Sequence, residues 1–193
     1  MTATLRKIND EVFVADDAIV RLGCDQVEFL KQQAAKSARR RSRICAHRHS
    51  ADALHEMLIA LCADSYVHPH KHLNKSESFH IVEGRLDVVV FDDSGAVVEV
   101  IELGDASSGR PFFYRLADSL FHTLLIRSDF LIMHEVTNGP FTAGDALVAP
   151  FAPPEERREE ARDYIAGLER IVAIHRSTPA APARHEYKVP VGE

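Results

Sequence analysis

The stretch Val67–Gly84, VHPHKHLNKSESFHIVEG, packs four of the chain's eleven histidines into eighteen positions. His68, His70 and His72 stand two apart, and Glu77 and Gly84 follow. Along a β-strand, side chains two apart share a face, so His70 and His72 project together into a barrel interior. Two imidazoles on one face can chelate a single ion, and a carboxylate from the next strand can complete three corners. Glu77 is that carboxylate, because the polar LNKS between it and His72 is long enough for a turn. Apolar walls around such groups make ion binding the least costly way to bury them. A fourth ligand has to come from a strand passing across the barrel. His122, in the middle of the apolar run SLFHTLLI, is the best placed.

The sequence around this stretch reads as strands. From Ile44 to about Val148, short apolar runs alternate with turn residues. LHEMLIAL (54–61) fits helix or strand by periodicity alone; a strand is expected, since a helix would leave the strands after it without a partner. Phe79–Val82, Leu86–Phe91 and Val97–Leu103 are rich in β-branched and aromatic residues, and Asp92-Asp93-Ser94-Gly95 makes a hairpin turn. FFYRL, SLFHTLLI and DFLIMHEV supply three more, with Ser128-Asp129 as a tight turn. Short strands at this spacing indicate an all-β sandwich or barrel.

Both flanks read differently. EVFVADDAIVRL, near the N-terminus, suits an edge strand or an arm. Asp25 reads as the N-cap of a helix in which Val27, Leu30 and Ala34 recur at helical spacing and whose end is basic. The run Arg39-Arg40-Arg41-Ser42-Arg43 suits either a nucleic-acid patch or a helix end with solvated charges, and the acidic chain favours the second. Pro153-Pro154-Glu155-Glu156 starts a second helix, with an apolar face of Ala161, Tyr164, Ile165, Leu168, Ile171, Val172 and His175. The organisation expected is an arm and helix over 1–42, a barrel over 43–153, a helix over 154–176 and a Pro/Ala-rich tail over 177–193.

Composition narrows the function. A chain of 193 residues with 46% apolar and 27% charged residues is an ordinary globular protein, and a net charge of −6 argues against nucleic acid or an acidic membrane as partner. No segment approaches the roughly 20 apolar residues of a membrane helix, and the first residues lack the apolar run of a signal peptide. The three cysteines, Cys24, Cys45 and Cys62, are scattered and odd in number, so a cytoplasmic location is expected and a disulfide framework is not. There is no Gly-rich phosphate loop, no Ser nucleophile elbow and no CxxC.

HPHKHLNKSESFHIVEG is similar to the first cupin motif, in which His-x-His is followed by Glu and, after six more residues, by Gly. Here these are His70, His72, Glu77 and Gly84. Asp64 replaces the usual glycine before the first histidine. The second cupin motif is degenerate: His122 remains, while Ala117, Ser119 and Ile126 replace the usual Pro, Gly and Asn. RICAHR, MLIAL, VVVFDDSG, FHTL, HEVTNGPF and APFAPPEE widen the likeness, and over about Arg43–Glu156 the chain resembles the WbuC-type cupin fold metalloproteins. The resemblance implies a double-stranded β-helix, or jelly roll, with added helices at both ends. It also implies metal ligation by His70, His72, Glu77 and His122, and an association with surface-polysaccharide gene clusters. His68 falls outside the cupin spacing and is expected beside the ligands or at the pocket rim, and His80 is expected on the outer face.

Ligands of N and O type suit one divalent transition ion per chain, Fe, Mn, Zn, Ni or Co. If they face inward, His134 and Glu135 in LIMHEVTNGPF are candidates for moving a proton near that ion; the alternative is a histidine hydrogen-bonded within the sheet. Lys75 and Arg115, with His68, are candidates for binding a substrate carboxylate or phosphate. His47 and Arg48 either line the mouth or are exposed at the surface, and the surface is favoured. The leading expectation is a metal-dependent isomerase, epimerase or lyase acting on a sugar or nucleotide-sugar. An Fe(II) dioxygenase and a non-catalytic metal or ligand sensor are the other classes. An arm of strand character makes a homodimer the expected assembly.

Overall fold

In the computed structural model, which describes residues 4–142 and 144–177, two sheets face each other across one interior. The first has seven strands in the order β1-β2-β3-β4-β11-β6-β9, and the second has five in the order β12-β5-β10-β7-β8. The central strands of the first are β3 (Arg41–Cys45), β4 (Leu54–Cys62), β11 (Phe130–Asn138) and β6 (Glu77–Glu83), flanked by β1 (Leu5–Lys7), β2 (Val12–Ala15) and β9 (Phe113–Leu116). The second comprises β5 (His70–His72), β7 (Arg85–Phe91), β8 (Val97–Gly104), β10 (Phe121–Ile126) and β12 (Ala146–Val148). All pairings are antiparallel except β2 with β3, and consecutive strands repeatedly change sheet, as they do in a jelly roll.

Alternation along the strands feeds three separate cores. Met57, Ile59 and Leu61 of β4 point into the barrel with Phe79, Val88 and Met133. Leu58, Ala60 and Cys62 of the same strand point out, beneath helix α1 (Cys24–Lys36), where they meet Leu30 and Ala34. On the far sheet, Val89 and Phe91 point out against helix α2 (Arg158–Ser177), meeting Leu168 and Val172. Each sheet is thus covered on its outer face by one helix. This explains why LHEMLIAL is apolar on both sides and why its periodicity looked ambiguous.

Two sharp turns shape the barrel wall. Gly84 joins β6 to β7 at φ +92°, where a Cβ would come 2.4 Å from the Phe130 carbonyl oxygen. The β7–β8 turn is held by Asp92, whose carboxylate accepts from the backbone N–H groups of Ser94 and Ala96. Buried Asp87 on β7 anchors α2: it takes Arg127 at 2.5 Å and Arg176 at 2.6 Å, and Arg127 also reaches Glu169.

Several expected boundaries move. The N-cap of α1 is Gly23, and Asp25 lies inside the first turn; the Gln26 side chain reaches back to accept from the Gly23 N–H at 2.9 Å, while no cap side chain accepts from the first turn. Helix α1 stops at Lys36, and Arg41 and Arg43 belong to β3 rather than to a basic helix end. Helix α2 begins at Arg158, because Glu155 is engaged by Arg39 and Arg41 and the two prolines precede the helix. Ile171, expected on the packed face of α2, is about half exposed. All three cysteines are free, and no helix among the described residues is long and apolar enough to cross a membrane. The tail expected over 177–193 lies, apart from Ser177, outside the described residues.

Candidate metal centre

Strand β5 is short because Pro69 precedes it and the polar LNKS ends it, but it is long enough to carry His70 and His72. His70 pairs directly with His122 of β10. The ring centroids of His70 and His122 are 4.7 Å apart and those of His70 and His72 are 5.0 Å apart. One ring nitrogen from each of the three lies within 4.8 Å of the others, a set that could hold a metal ion. From the facing sheet, Glu77 brings Oε1 to 2.7 Å from His122 Nε2 and Oε2 to 3.2 Å from His72 Nε2.

Backbone carbonyls orient two of the rings. His70 Nδ1 lies 2.9 Å from the His68 carbonyl and His122 Nδ1 lies 3.0 Å from the Leu120 carbonyl, each at hydrogen-bond distance. A ring that donates from Nδ1 leaves Nε2 as a lone pair aimed at the centre, the tautomer that a metal needs. Glu77 Oε1 and His122 Nε2 are both buried, and neither has an aligned hydrogen bond. Separations of this size match the edge of a coordination shell with metal–ligand bonds of about 2.1 Å. The donor set therefore fits a divalent ion.

The electrostatics agree. Burial, together with His122, pulls the His70 imidazolium down to about 4, so His70 is neutral and free to ligate near pH 7. Burial alone would raise Glu77, but His122 and His72 outweigh it and hold the carboxyl well below its usual range. For His122, burial is outweighed by Glu77, and its pKa is raised.

This cluster lines one cavity of about 670 Å³ inside the barrel. Glu135 also lines it, from β11, and its pKa is pushed up to about 7, first by burial and then by the charge of Glu77, against the opposing field of Arg43. His134 does not share this position. It points to the outer face, where its Nε2 lies 3.6 Å from Glu56. As a candidate for proton transfer it is corrected: strand parity puts it on the opposite side of the sheet from Glu135.

The other expected site residues are distributed unevenly. His68 lines the cavity and supplies the carbonyl that orients His70. Lys75 also lines it, but its ammonium bonds the carbonyls of Asn138 and Pro140 and pairs with Asp145 at 3.1 Å, so it is already engaged by these three residues. Arg115 lies outside the cavity, donating to Ser76 at 2.9 Å, because Tyr114 takes the inward direction on β9. His80 is exposed against Phe112.

Residues that sequence reasoning left at the surface line the cavity instead. Arg41 and Arg43 face it from β3, and His47 stacks on buried His55 at 4.1 Å and 5°. The period-two spacing of Arg41, Arg43 and Cys45 was the available signal.

A family described as a domain of unknown function (DUF6016) matches residues 23–103, from α1 into β8, which includes His70, His72 and Glu77 but not His122. No curated protein matches the chain. Among solved structures, protein SO0799 from Shewanella oneidensis is similar with a TM-score of 0.52 and 15% identity, over 79% of this chain and 98% of that one. The cupin domain of Cnp3 from Schizosaccharomyces pombe aligns at TM-score 0.40 and 9% identity, over 51% of this chain and 64% of that one. L-ribose isomerase from Cellulomonas parahominis aligns at TM-score 0.45 and 14% identity, over 57% and 70%. Identities this low concern fold alone. With its two sheets in jelly-roll order and a three-histidine cluster inside them, the chain has the cupin fold.

Proposed function

We propose that the chain is a metal-dependent enzyme that moves a proton on a small polar substrate, a sugar or nucleotide-sugar, by isomerase, epimerase or lyase chemistry. The observation that carries this reading is the position of Glu135, a carboxyl on the wall of the cavity that the histidine cluster lines. A carboxyl poised there can take a proton from carbon and return it at neutral pH. His70, His72, Glu77 and His122 would hold one divalent ion, Fe, Mn, Zn, Ni or Co. When bound, that ion supplies a Lewis acid that polarises a substrate carbonyl or hydroxyl. His70 stays neutral to ligate it, and the apolar walls contributed by Met57, Phe79 and Met133 exclude water from the reacting atoms. A place in surface-polysaccharide synthesis, and assembly as a homodimer, rest on the resemblance and on the strand-like arm.

The test is solvent exchange. The protein with its bound metal is incubated in D2O with aldoses, ketoses and nucleotide-sugars, and deuterium at the carbon beside the carbonyl is followed by mass spectrometry. Exchange that falls about 100-fold or more in Glu135→Gln, with metal content unchanged, supports the reading. Exchange that persists undiminished in that variant overturns it.

A further inference from the structure

The two sheets end in the edge strands β1, β9, β12 and β8, and all but β9 are guarded or in use. β1 is blunted by charge, since Arg6 pairs with Asp16 and Lys7 with Asp10. β8 exposes Glu99 and Glu102, and Glu102 takes Arg176 of α2. β12 is three residues long and lines the cavity with Ala146 and Val148. β9 instead presents an aromatic surface. Phe113 is 57% exposed, and Phe112 just before it is 45% exposed against the exposed His80 ring, with 5.3 Å between centroids. Val82 on neighbouring β6 is also about half exposed. Neither helix covers this end of the sheet: α1 packs on β2, β3, β4 and β11, and α2 on the other sheet.

The ladder with β6 identifies which main-chain groups of β9 are free. The Ile81 N–H donates to the Phe112 carbonyl at 2.8 Å, and Tyr114 and Leu116 stand opposite Phe79 and Glu77. Bonded pairs alternate in an antiparallel ladder. Phe112, Tyr114 and Leu116 therefore bond β6, while the N–H and C=O groups of Phe113 and Arg115 point away from the sheet. The same two residues turn their side chains outward: both are exposed, and Tyr114 between them is buried. Such an edge accepts an antiparallel strand, and a second β9 is complementary to it. A two-fold axis at Tyr114 sets Phe113 against Arg115 of the second copy. Each such pair exchanges both main-chain bonds and lays a guanidinium on a ring, while Arg115 keeps its bond to Ser76. An axis at Phe113 would set Arg115 against Pro111, which has no N–H to give. An axis at Arg115 would set two like charges face to face.

We infer that the chain pairs with a second copy of itself through β9, antiparallel about Tyr114, so that two seven-stranded sheets become one continuous sheet. This rests on the homodimer proposed above and gives it an interface. That interface lies at the end of the sheet opposite β1 and the arm.

Sedimentation velocity is measured over a range of concentrations on the full chain, on Phe113→Lys and on Phe113→Lys/Arg115→Glu. The parent chain sediments as a dimer. Phe113→Lys sets two cations against each other and raises the dimer dissociation constant about tenfold or more. The double variant sets Lys against Glu and restores the dimer. Cross-linking reads the register, in a Cys24→Ser background that removes the exposed thiol. Bonded pairs hold their Cα atoms about 5.5 Å apart, within disulfide reach. Phe113→Cys chains mixed with Arg115→Cys chains therefore cross-link under mild oxidation, and neither does so alone. The mixed cross-link reads the pairing independently of whether Phe113→Lys folds. A monomeric parent chain overturns this inference and the homodimer together. A dimer that Phe113→Lys leaves intact, or a cross-link formed by Phe113→Cys alone, overturns the β9 pairing and leaves the homodimer standing.

Discussion

Glu77 Oε1 lies 2.7 Å from Nε2 of His122, and neither atom makes an aligned hydrogen bond. An imidazole and a carboxylate this close either share a proton or direct their lone pairs at one cation. Metal binding is then the interaction for which the surrounding backbone carbonyls have already fixed the rings. Protein purified without an affinity tag should carry about one transition ion per chain by elemental analysis. His70→Ala/His72→Ala should remove it, and Glu77→Gln should weaken retention against a chelator about tenfold or more. Full occupancy in the double variant would end the assignment.

Glu135 links stability to pH. Its folded pKa, about 7, stands above the ordinary 4.5, so the folded state binds more protons than the unfolded state between those values. Stability therefore falls as pH rises through this window, by about 2–3 kcal/mol from this group alone. In chelator-treated protein, Glu135→Gln should raise the Tm at pH 8 and change it little at pH 4.5. A variant no more stable than the parent at pH 8 would contradict the buried-carboxyl account. Gain in stability with loss of proton transfer is the pattern of a strained working group.

Asp87 tests what holds α2. The carboxylate is fully buried and takes both Arg127 and Arg176. Both arginines keep some access to water and to Glu169 or Glu102, so removing the carboxylate leaves them partly paired. Asp87→Ala should cost about 1–3 kcal/mol in chemical denaturation. Hydrogen exchange should quicken in α2 before it quickens in β4 and β11.

Gly84 tests the bend that follows the histidine stretch. With φ at +92° and the Phe130 carbonyl 2.4 Å from where a Cβ would sit, Gly84→Ala should cost about 2–3 kcal/mol, read as a lowered denaturation midpoint.

The metal cluster was legible in sequence because its spacing is local: His70, His72 and Glu77 straddle one turn, and strand alternation orders them. The strands β6, β7, β8, β10 and β11 were legible for the same reason. What the text hid was parity. Leu131, Ile132 and Met133 are all buried, because α1 covers the outer face of β11 while the barrel covers the inner one. No amphipathic alternation then tells which of His134 and Glu135 turns inward. Strand β3 was obscured by composition: four arginines beside a helix look like its basic end, whereas Arg41 and Arg43 are set by pairing with Leu61 and Ile59, which are distant in sequence.

Because α1 and α2 each seal the outside of one sheet, neighbouring positions on a single strand belong to unrelated compartments. In β3, Ile44 is locked under α1 while Arg43 and Cys45 open on the cavity. Substitutions at Ile44 should therefore lower abundance, while those at Arg43 should leave the packing under α1 intact. Arg43 can vary without disturbing the contact between Ile44 and α1, whereas its neighbour Cys45 is part of the barrel core.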